Sequence, residues 1–460
     1  MALVIVYFIN PPFKYLSYYA HFITFTFQFL SQMKYLPIDS KLYEQNRQRF
    51  IKKMKPNSVA IFPANPTFPT AGDGTMTYKP NADVIWLSGI TQEKTIVILY
   101  PDNPDKNARE VLVLIRPNEL MEKWNGHLLR KHEATELSGI KNIQWLDGFD
   151  TMLQVMMNSA DTVYLNTNEH NRLDTELPRT ELAFVESVMK KYPIHHYERA
   201  ARVMKELRSV KTKEEVEVLK EAINITAKAF DRVLKFIEPG VMEYEIEAEI
   251  THEFLKRRAT GHAYGCILAS GDRARTLHYV ENNEECKDGE LILMDFGAEY
   301  GNYNADLSRT VPVNGVFTKR QKEVYNACLA VHNHGKKILK PGLLFQDYVK
   351  SINEEMERQL LKIGLISKND IKNQDPENPA FKKYFYHGVS HHLGLVVHDV
   401  GSYTDPIKEG NLFTIEPGIY IEEEQMGIRI ENNVWITKTG NVDLFKGIPI
   451  TVEEIEAAMK

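Results

Sequence analysis

From Tyr43 to about Met54 the chain is polar and basic with helix-forming residues, and Asn57–Asn65 (NSVAIFPAN) then reads as a strand with a turn behind it. Short β-branched runs follow at Ala82–Ile90, Lys94–Tyr100, Glu110–Pro117 and Thr162–Asn166, and each predicts a strand. Between them Glu119–His132 and Leu182–Lys190 predict helices, and the loop around 66–82 is marked by three Pro and two Gly. Strands alternating with helices at this spacing predict an α/β domain.

A long amphipathic pattern begins near Lys205. Val216, Leu219, Ile223, Ala227, Phe230 and Val233 recur at three- and four-residue steps, and Thr212 with Glu215 forms a capping-box signature. Pro239-Gly240 ends that pattern and Glu243–Lys256 predicts a second helix. Beyond residue 262 the texture turns to apolar strands: Gly265–Ser270, Leu291–Tyr300, Ala305–Val313, Leu412–Ile421 and Ile428–Thr437. Helices are expected at Thr318–Leu339 and Leu344–Ile363, and 369–382 reads as a polar loop. The pattern divides the chain into 33–204, an α/β domain, and 205–460, an α+β domain with a curved, mainly antiparallel sheet backed by helices.

Residues 1–32 fit neither part. They carry one formal charge, Lys14, and ten aromatic residues. Pro11 and Pro12 split the first apolar run, and His21, Thr24, Thr26 and Gln28 make the second a poor membrane span. Two readings stay open: a start at Met33, or a membrane- or surface-contacting arm. Elsewhere composition is ordinary, with 43% apolar and 26% charged residues in a chain of 460. A net charge of −6 argues against nucleic acid as a partner, and three cysteines without CxxC spacing argue for a reducing, cytoplasmic setting.

The chemistry lies in acids set into apolar strands. Asp295 ends one strand, and the glycine-containing turn behind it could return Asp306 to its side. Glu416 (FTIEPGIYI) and Glu431 (GIRIENNVWI) interrupt two more apolar runs. Two solvent-facing acids on a hairpin would explain the first pair, and Arg309 or Arg429 could neutralise one or two of the four. Acids are rarely buried without partners, and paired carboxylates repel unless a proton or cation lies between them. His387, His391, His392 and His398 fall within twelve residues among glycines, where one imidazole could complete a metal shell. An oxygen-rich shell with one histidine suits Mn²⁺, Fe²⁺, Co²⁺ or Zn²⁺, and four carboxylates suffice for two ions. Ser390 beside His391 is a weak competitor, because a serine nucleophile would leave the acids unexplained. The chain has no GxxxxGK and no HExxH.

The order Asp, ten residues, Asp, His, Glu, Glu resembles the metallopeptidases of the pita-bread fold, in their proline-specific branch of Xaa-Pro aminopeptidases (aminopeptidase P) and prolidases. The resemblance runs from Met33 onward and is sharpest over 291–310, 386–401 and 412–434; YKPNADVIWLSGI and EKWNGHLL are degenerate forms of the family's N-terminal sequences. It implies a creatinase/prolidase-type N-terminal domain and two divalent ions, manganese foremost, with Zn²⁺, Co²⁺ or Fe²⁺ as alternatives. By position, Asp295 would bind one ion, Asp306 and Glu431 both, and His391 and Glu416 the other. Glu416 would also move the proton of the attacking water. His278 and His398 would contact the substrate or stabilise the intermediate, His387 and Arg429 would shape the site, and His392 would pack at its rim. The implied activity is release of the residue before proline in position two of a peptide, by a homodimer or homotetramer. Xaa-Pro dipeptidase is the alternative, and a silent peptide-binding module the remote one.

Overall fold

The computed structural model describes residues 34–176 and 179–460; the two readings of residues 1–32 lie outside the described residues. The first part is built on one six-stranded sheet. Its strands are β1 (Ser58–Pro63), β2 (Ile96–Leu99), β3 (Glu110–Leu114), β4 (Asn142–Trp145), β5 (Thr162–Leu165) and β6 (His196–Arg199). They lie in the order β4-β3-β2-β1-β5-β6. The two central contacts of β2 are antiparallel, and β3–β4, β1–β5 and β5–β6 are parallel. Alternation along β1 sends Val59 and Ile61 into one apolar layer, and Ala60 and Phe62 into the other. A strand buried on both faces must be apolar throughout, which is why these runs stood out in the sequence.

Three local expectations need correction. Ala82–Ser88 is a helix, although its β-branched residues suggest a strand. The Asn81 side chain accepts from the backbone N–H groups of Asp83 and Val84, and Gly89 ends the helix at φ 69°. The caps outweigh the strand propensity of Val84 and Ile85. The stretch 119–132 is two helices, Glu119–Asn125 and Lys131–Ser138, separated at Gly126 with φ 87°. The polar stretch 369–382 contains the short helix Lys368–Asn373, whose Ser367 and Asp370 cap each other. Strands β4 and β6 lay outside the expected elements, because NIQW and HYER offer too few apolar positions to show a period.

The second part carries β7 (Gly261–His262), β8 (Ile267–Ser270), β9 (Leu291–Phe296), β10 (Ala298–Tyr300), β11 (Tyr303–Asn304) and β12 (Leu307–Pro312). After two long helices come β13 (Leu412–Ile415), β14 (Gly418–Ile421), β15 (Met426–Arg429), β16 (Asn432–Ile436) and β17 (Asn441–Asp443). Every strand pairing in this part is antiparallel. The sheet bends sharply enough to split into short ladders. Single bonds join them, such as Glu431 N–H to the Ser308 carbonyl at 3.0 Å. Helices Lys213–Val233, Glu243–Lys256, Lys319–Ile338 and Phe345–Lys362 pack their apolar faces on its outer side. The Thr212–Glu215 capping box is present, with Thr212 N–H donating to Glu215 at 2.8 Å.

The breaks in these ladders hold the acids. Gly297 separates β9 from β10, and a Cβ there would lie 1.8 Å from the Ala305 carbonyl oxygen. Only glycine allows that approach, which draws the chain entering β12 against the end of β9. Ser308 consequently pairs with Asp295, and Asp306 reaches the same end of the sheet. Glu416 follows the last residue of β13, and Glu431 falls between β15 and β16.

The two parts are welded together by burial and charge. Leu219, Tyr303, Leu393 and Leu412 from the second join Phe62, Trp86 and Leu99 of the first in one apolar cluster. Beside it Arg208, on the connecting helix Ala200–Ser209, bridges Asp83 of the first part (2.7 Å) and Asp399 of the second. Lys211 donates to the other Asp399 oxygen at 2.9 Å. Asp399 and Arg208 are 2% and 4% exposed, so neither charge has water to fall back on. Asp399→Asn is expected to lower stability by about 3–5 kcal/mol, since it leaves buried Lys211 without a carboxylate and Arg208 with Asp83 alone. Urea unfolding checks this, and a change below about 1 kcal/mol would show the network to be energetically neutral.

Candidate metal centre

Asp306, His391 and Glu431 converge so that one ligand atom from each lies within 4.8 Å of the others, and all three are buried. Asp295 joins them through Tyr264, whose hydroxyl lies 2.6 Å from an oxygen of Asp295 and 2.6 Å from one of Asp306. Glu416 completes the group, 3.5 Å from His391 Nε2, which is also 3.4 Å from Asp306. The five residues that the resemblance implies as ligands thus meet at one end of the curved sheet.

Neighbouring side chains hold them. Arg429 donates to Asp295 at 2.6 Å and to Ser308 Oγ at 3.0 Å, and Ser308 in turn donates to Glu431 at 2.7 Å. The Tyr420 hydroxyl accepts from Arg429 at 3.1 Å and meets His387 Nε2 at 2.8 Å. The His391 N–H donates to Thr414 Oγ1, and its ring Nδ1 lies 2.9 Å from the His392 carbonyl. A carbonyl accepts only, so Nδ1 keeps its proton, and a ring that gives up the Nε2 proton it shares with the carboxylates leaves Nε2 free to bind. That is the tautomer a cation requires.

Three observations fit a cation here. Glu431 Oε1 is buried with no hydrogen-bond partner, an expensive state for a carboxylate. The single Tyr264 proton cannot serve two 2.6 Å contacts to ionised acids. Finally, the carboxyls crowd one another. Burial, reinforced by Asp306, Glu416 and Asp295, pushes Glu431 well above the usual carboxylate range. Burial raises Glu416 to about 7, opposed by His391 and aided by Asp306. Asp306 rises for the same reason. Burial alone would lower His391, but Asp306 and Glu416 outweigh it and hold it above its ordinary value. Protons therefore occupy the metal-free cluster near neutrality, where a cation would displace them. Ion binding is expected to release at least one proton per chain at pH 6.5 and to tighten as pH rises through 7. Titration calorimetry in two buffers of different ionisation heat reads this directly, and a release of zero would contradict it.

The remaining predicted residues ring the cluster. The His398 ring stands edge-on to His391 with centroids 4.4 Å apart. Burial, then the charges of His391 and Arg172, lower His398 to about 3, so it is neutral. His387 is lowered to about 4 by burial and then by Arg429. His278 is exposed on the loop after Arg275. His392 stacks on Phe413 at 4.3 Å and lies under Gly401, a packing position as its sequence suggests. Tyr264, Ser308, Thr414 and Tyr420 were not singled out in the sequence. The Tyr264–Asp295 contact spans 31 positions, which no local pattern encodes.

A curved antiparallel sheet bearing a buried carboxylate–histidine cluster, behind a mixed α/β domain, defines a metal-dependent hydrolase of the pita-bread class. Residues 43–164 match the aminopeptidase P N-terminal domain, and residues 217–438 match metallopeptidase family M24. The chain is 31% identical to the Xaa-Pro aminopeptidase of Escherichia coli (strain K12), covering 92% of this chain and 98% of that one. It is 29% identical to Xaa-Pro aminopeptidase 3 of Homo sapiens, covering 93% and 86%. The low-pH form of E. coli aminopeptidase P superposes with a TM-score of 0.83 at 31% identity, over 92% of this chain and 98% of that one. This chain belongs to the aminopeptidase P group of metallopeptidase family M24.

Proposed function

We propose that this protein is a metal-dependent Xaa-Pro aminopeptidase, which hydrolyses the bond before proline in position two and releases one N-terminal residue. The observation that carries the reading is the convergence of Asp295, Asp306, His391, Glu416 and Glu431 in a chain that aligns with curated Xaa-Pro aminopeptidases over nearly its whole length. Asp295 would hold one divalent ion, His391 and Glu416 the other, with Asp306 and Glu431 shared between them. The two ions, manganese foremost, would supply Lewis acidity and a water activated at neutral pH.

The protein's own groups do the rest. Glu416 is suited to accept the proton of the attacking water and return it to the departing proline nitrogen. Its side chain is 19% exposed against 3% for His391 and 7% for Asp306, so it is the carboxylate open to a substrate. Neutral His398, edge-on to His391, can donate to the oxygen on which charge develops, and exposed His278 would contact the peptide. Arg429 and Tyr420 orient Asp295 and His387. Donors fixed by burial in this way need no rearrangement as charge builds up.

Among the described residues no helix is long and apolar enough to cross a membrane. Three free, buried cysteines support a reducing, cytoplasmic setting, and a homodimer or homotetramer is the assembly that the resemblance favours. Comparing Ala-Pro-Ala with Ala-Pro tests the activity. Release of alanine from the tripeptide supports it, and turnover confined to the dipeptide would assign the chain to the dipeptidases instead.

A further inference from the structure

A cavity of about 1190 Å³ lies between the two parts of the molecule; His398, whose ring stands edge-on to His391, forms part of its wall. It is larger than the ~300–1,000 Å³ that encloses a typical small ligand, and far larger than one amino acid and a proline require. One wall is Leu395–His398; the opposite wall is the connecting helix Ala200–Ser209.

That helix turns a basic ridge into the cavity. Arg199, Arg202, Lys205 and Arg208 recur every third residue, and all four line the space. The ends of the ridge are neutralised: Arg199 by Glu169, and Arg208 by Asp83 and Asp399. The middle is not. Arg202 and Lys205 have no hydrogen bond or ion pair among the described residues. Both also border a smaller cavity of about 320 Å³ toward Ser402–Asn411, but His398 lines only the larger one.

We propose that Arg202 and Lys205 form a subsite for a carboxylate on the C-terminal, departing part of the peptide. The inference rests on the aminopeptidase reading given above. The residue released from the N-terminus carries an ammonium group, which a basic wall repels. The departing fragment ends in a carboxylate, and at ~3.4 Å per extended residue a few residues carry it across the cavity. Both groups face solvent, so the attraction is screened and acts chiefly on substrate capture.

The test compares Ala-Pro-Ala-Ala with a free C-terminus against the same peptide as its amide, at low and high salt. A third peptide, amidated but with Glu in the fourth position, separates a side-chain carboxylate from a terminal one. Wild-type enzyme is expected to favour the acid about fivefold in kcat/KM, through KM, with the ratio falling toward one at 0.5 M salt. The Arg202→Gln/Lys205→Gln double variant is expected to lose that ratio, and full rescue by the Glu peptide would extend the subsite to acidic side chains. Equal use of acid and amide by wild type, or a ratio that survives in the double variant, would overturn the subsite while leaving the activity intact. Cleavage of neither peptide would instead remove the aminopeptidase reading itself.

Discussion

Glu416→Gln is expected to lower kcat on an Xaa-Pro tripeptide by about 10³-fold. Glutamine preserves the shape of the side chain at the end of β13, where Thr414 lies 3.3 Å from one carboxyl oxygen. It keeps a neutral oxygen near His391 but cannot take up a proton. Positioned proton transfer contributes ~10²–10⁴-fold, and the weaker amide ligand adds to the loss. KM should change far less than kcat, because the carboxylate acts as charge develops. Metal analysis beside the kinetics separates the two causes: retained ions with lost turnover assigns proton transfer, and lost ions assigns ligation. Turnover within tenfold of wild type would remove Glu416 from the chemistry.

Asp306→Asn is expected to abolish ion binding and activity while leaving the metal-free protein no less stable. Activity should fall by at least about 10³-fold, because the carboxylate that would be shared by both ions in the proposed centre loses its charge. Stability behaves differently, since Asp306 sits among Asp295, Glu416 and Glu431, and in the absence of metal these acids repel one another. The sign follows from linkage. A folded-state value raised above the unfolded one, as for Glu416 at about 7 against 4.5, means that the folded state holds the proton more tightly. Stability of the metal-free protein is therefore lost as pH rises from about 4.5 to about 7. Removing one charge from the group flattens that loss. Thermal unfolding in chelator at pH 7.5 should show the Tm of the variant equal to or above that of wild type, by a few degrees at most. A large fall in Tm would mean that Asp306 is held by interactions other than a cation.

The acids were legible in the sequence because each breaks an apolar run. Asp295 breaks LILMDF one residue before its end, and Glu416 and Glu431 interrupt two further apolar strands. Burial makes such residues expensive, so their presence points to a partner. The pairing of Asp295 with Asp306 was legible too, because the turn between them carries the glycine that lets β12 close on β9. What holds the acids was less legible. Tyr264 carries no pattern that distinguishes it from a core tyrosine, and Ser308 is one hydroxyl among many until the register sets it opposite Asp295. The Arg208–Asp399 and Arg208–Asp83 pairs span 191 and 125 positions, a distance that no local pattern encodes. The helix Ala82–Ser88 was misjudged because its cap, Asn81, lies outside the apolar run that suggested a strand. Local propensity in so short a segment yields to capping and to the packing of Trp86, whose ring N–H reaches Glu215 at 3.1 Å.

The five proposed ligands and the activity stand or fall together, and one titration tests them jointly. Metal-free protein is titrated with Mn²⁺ while bound ions per chain and alanine released from Ala-Pro-Ala are followed in the same samples. Two ions per chain, with turnover appearing as the sites fill and disappearing in chelator, is the predicted result. Turnover that persists without metal, or saturation with ions and no alanine released, would contradict it.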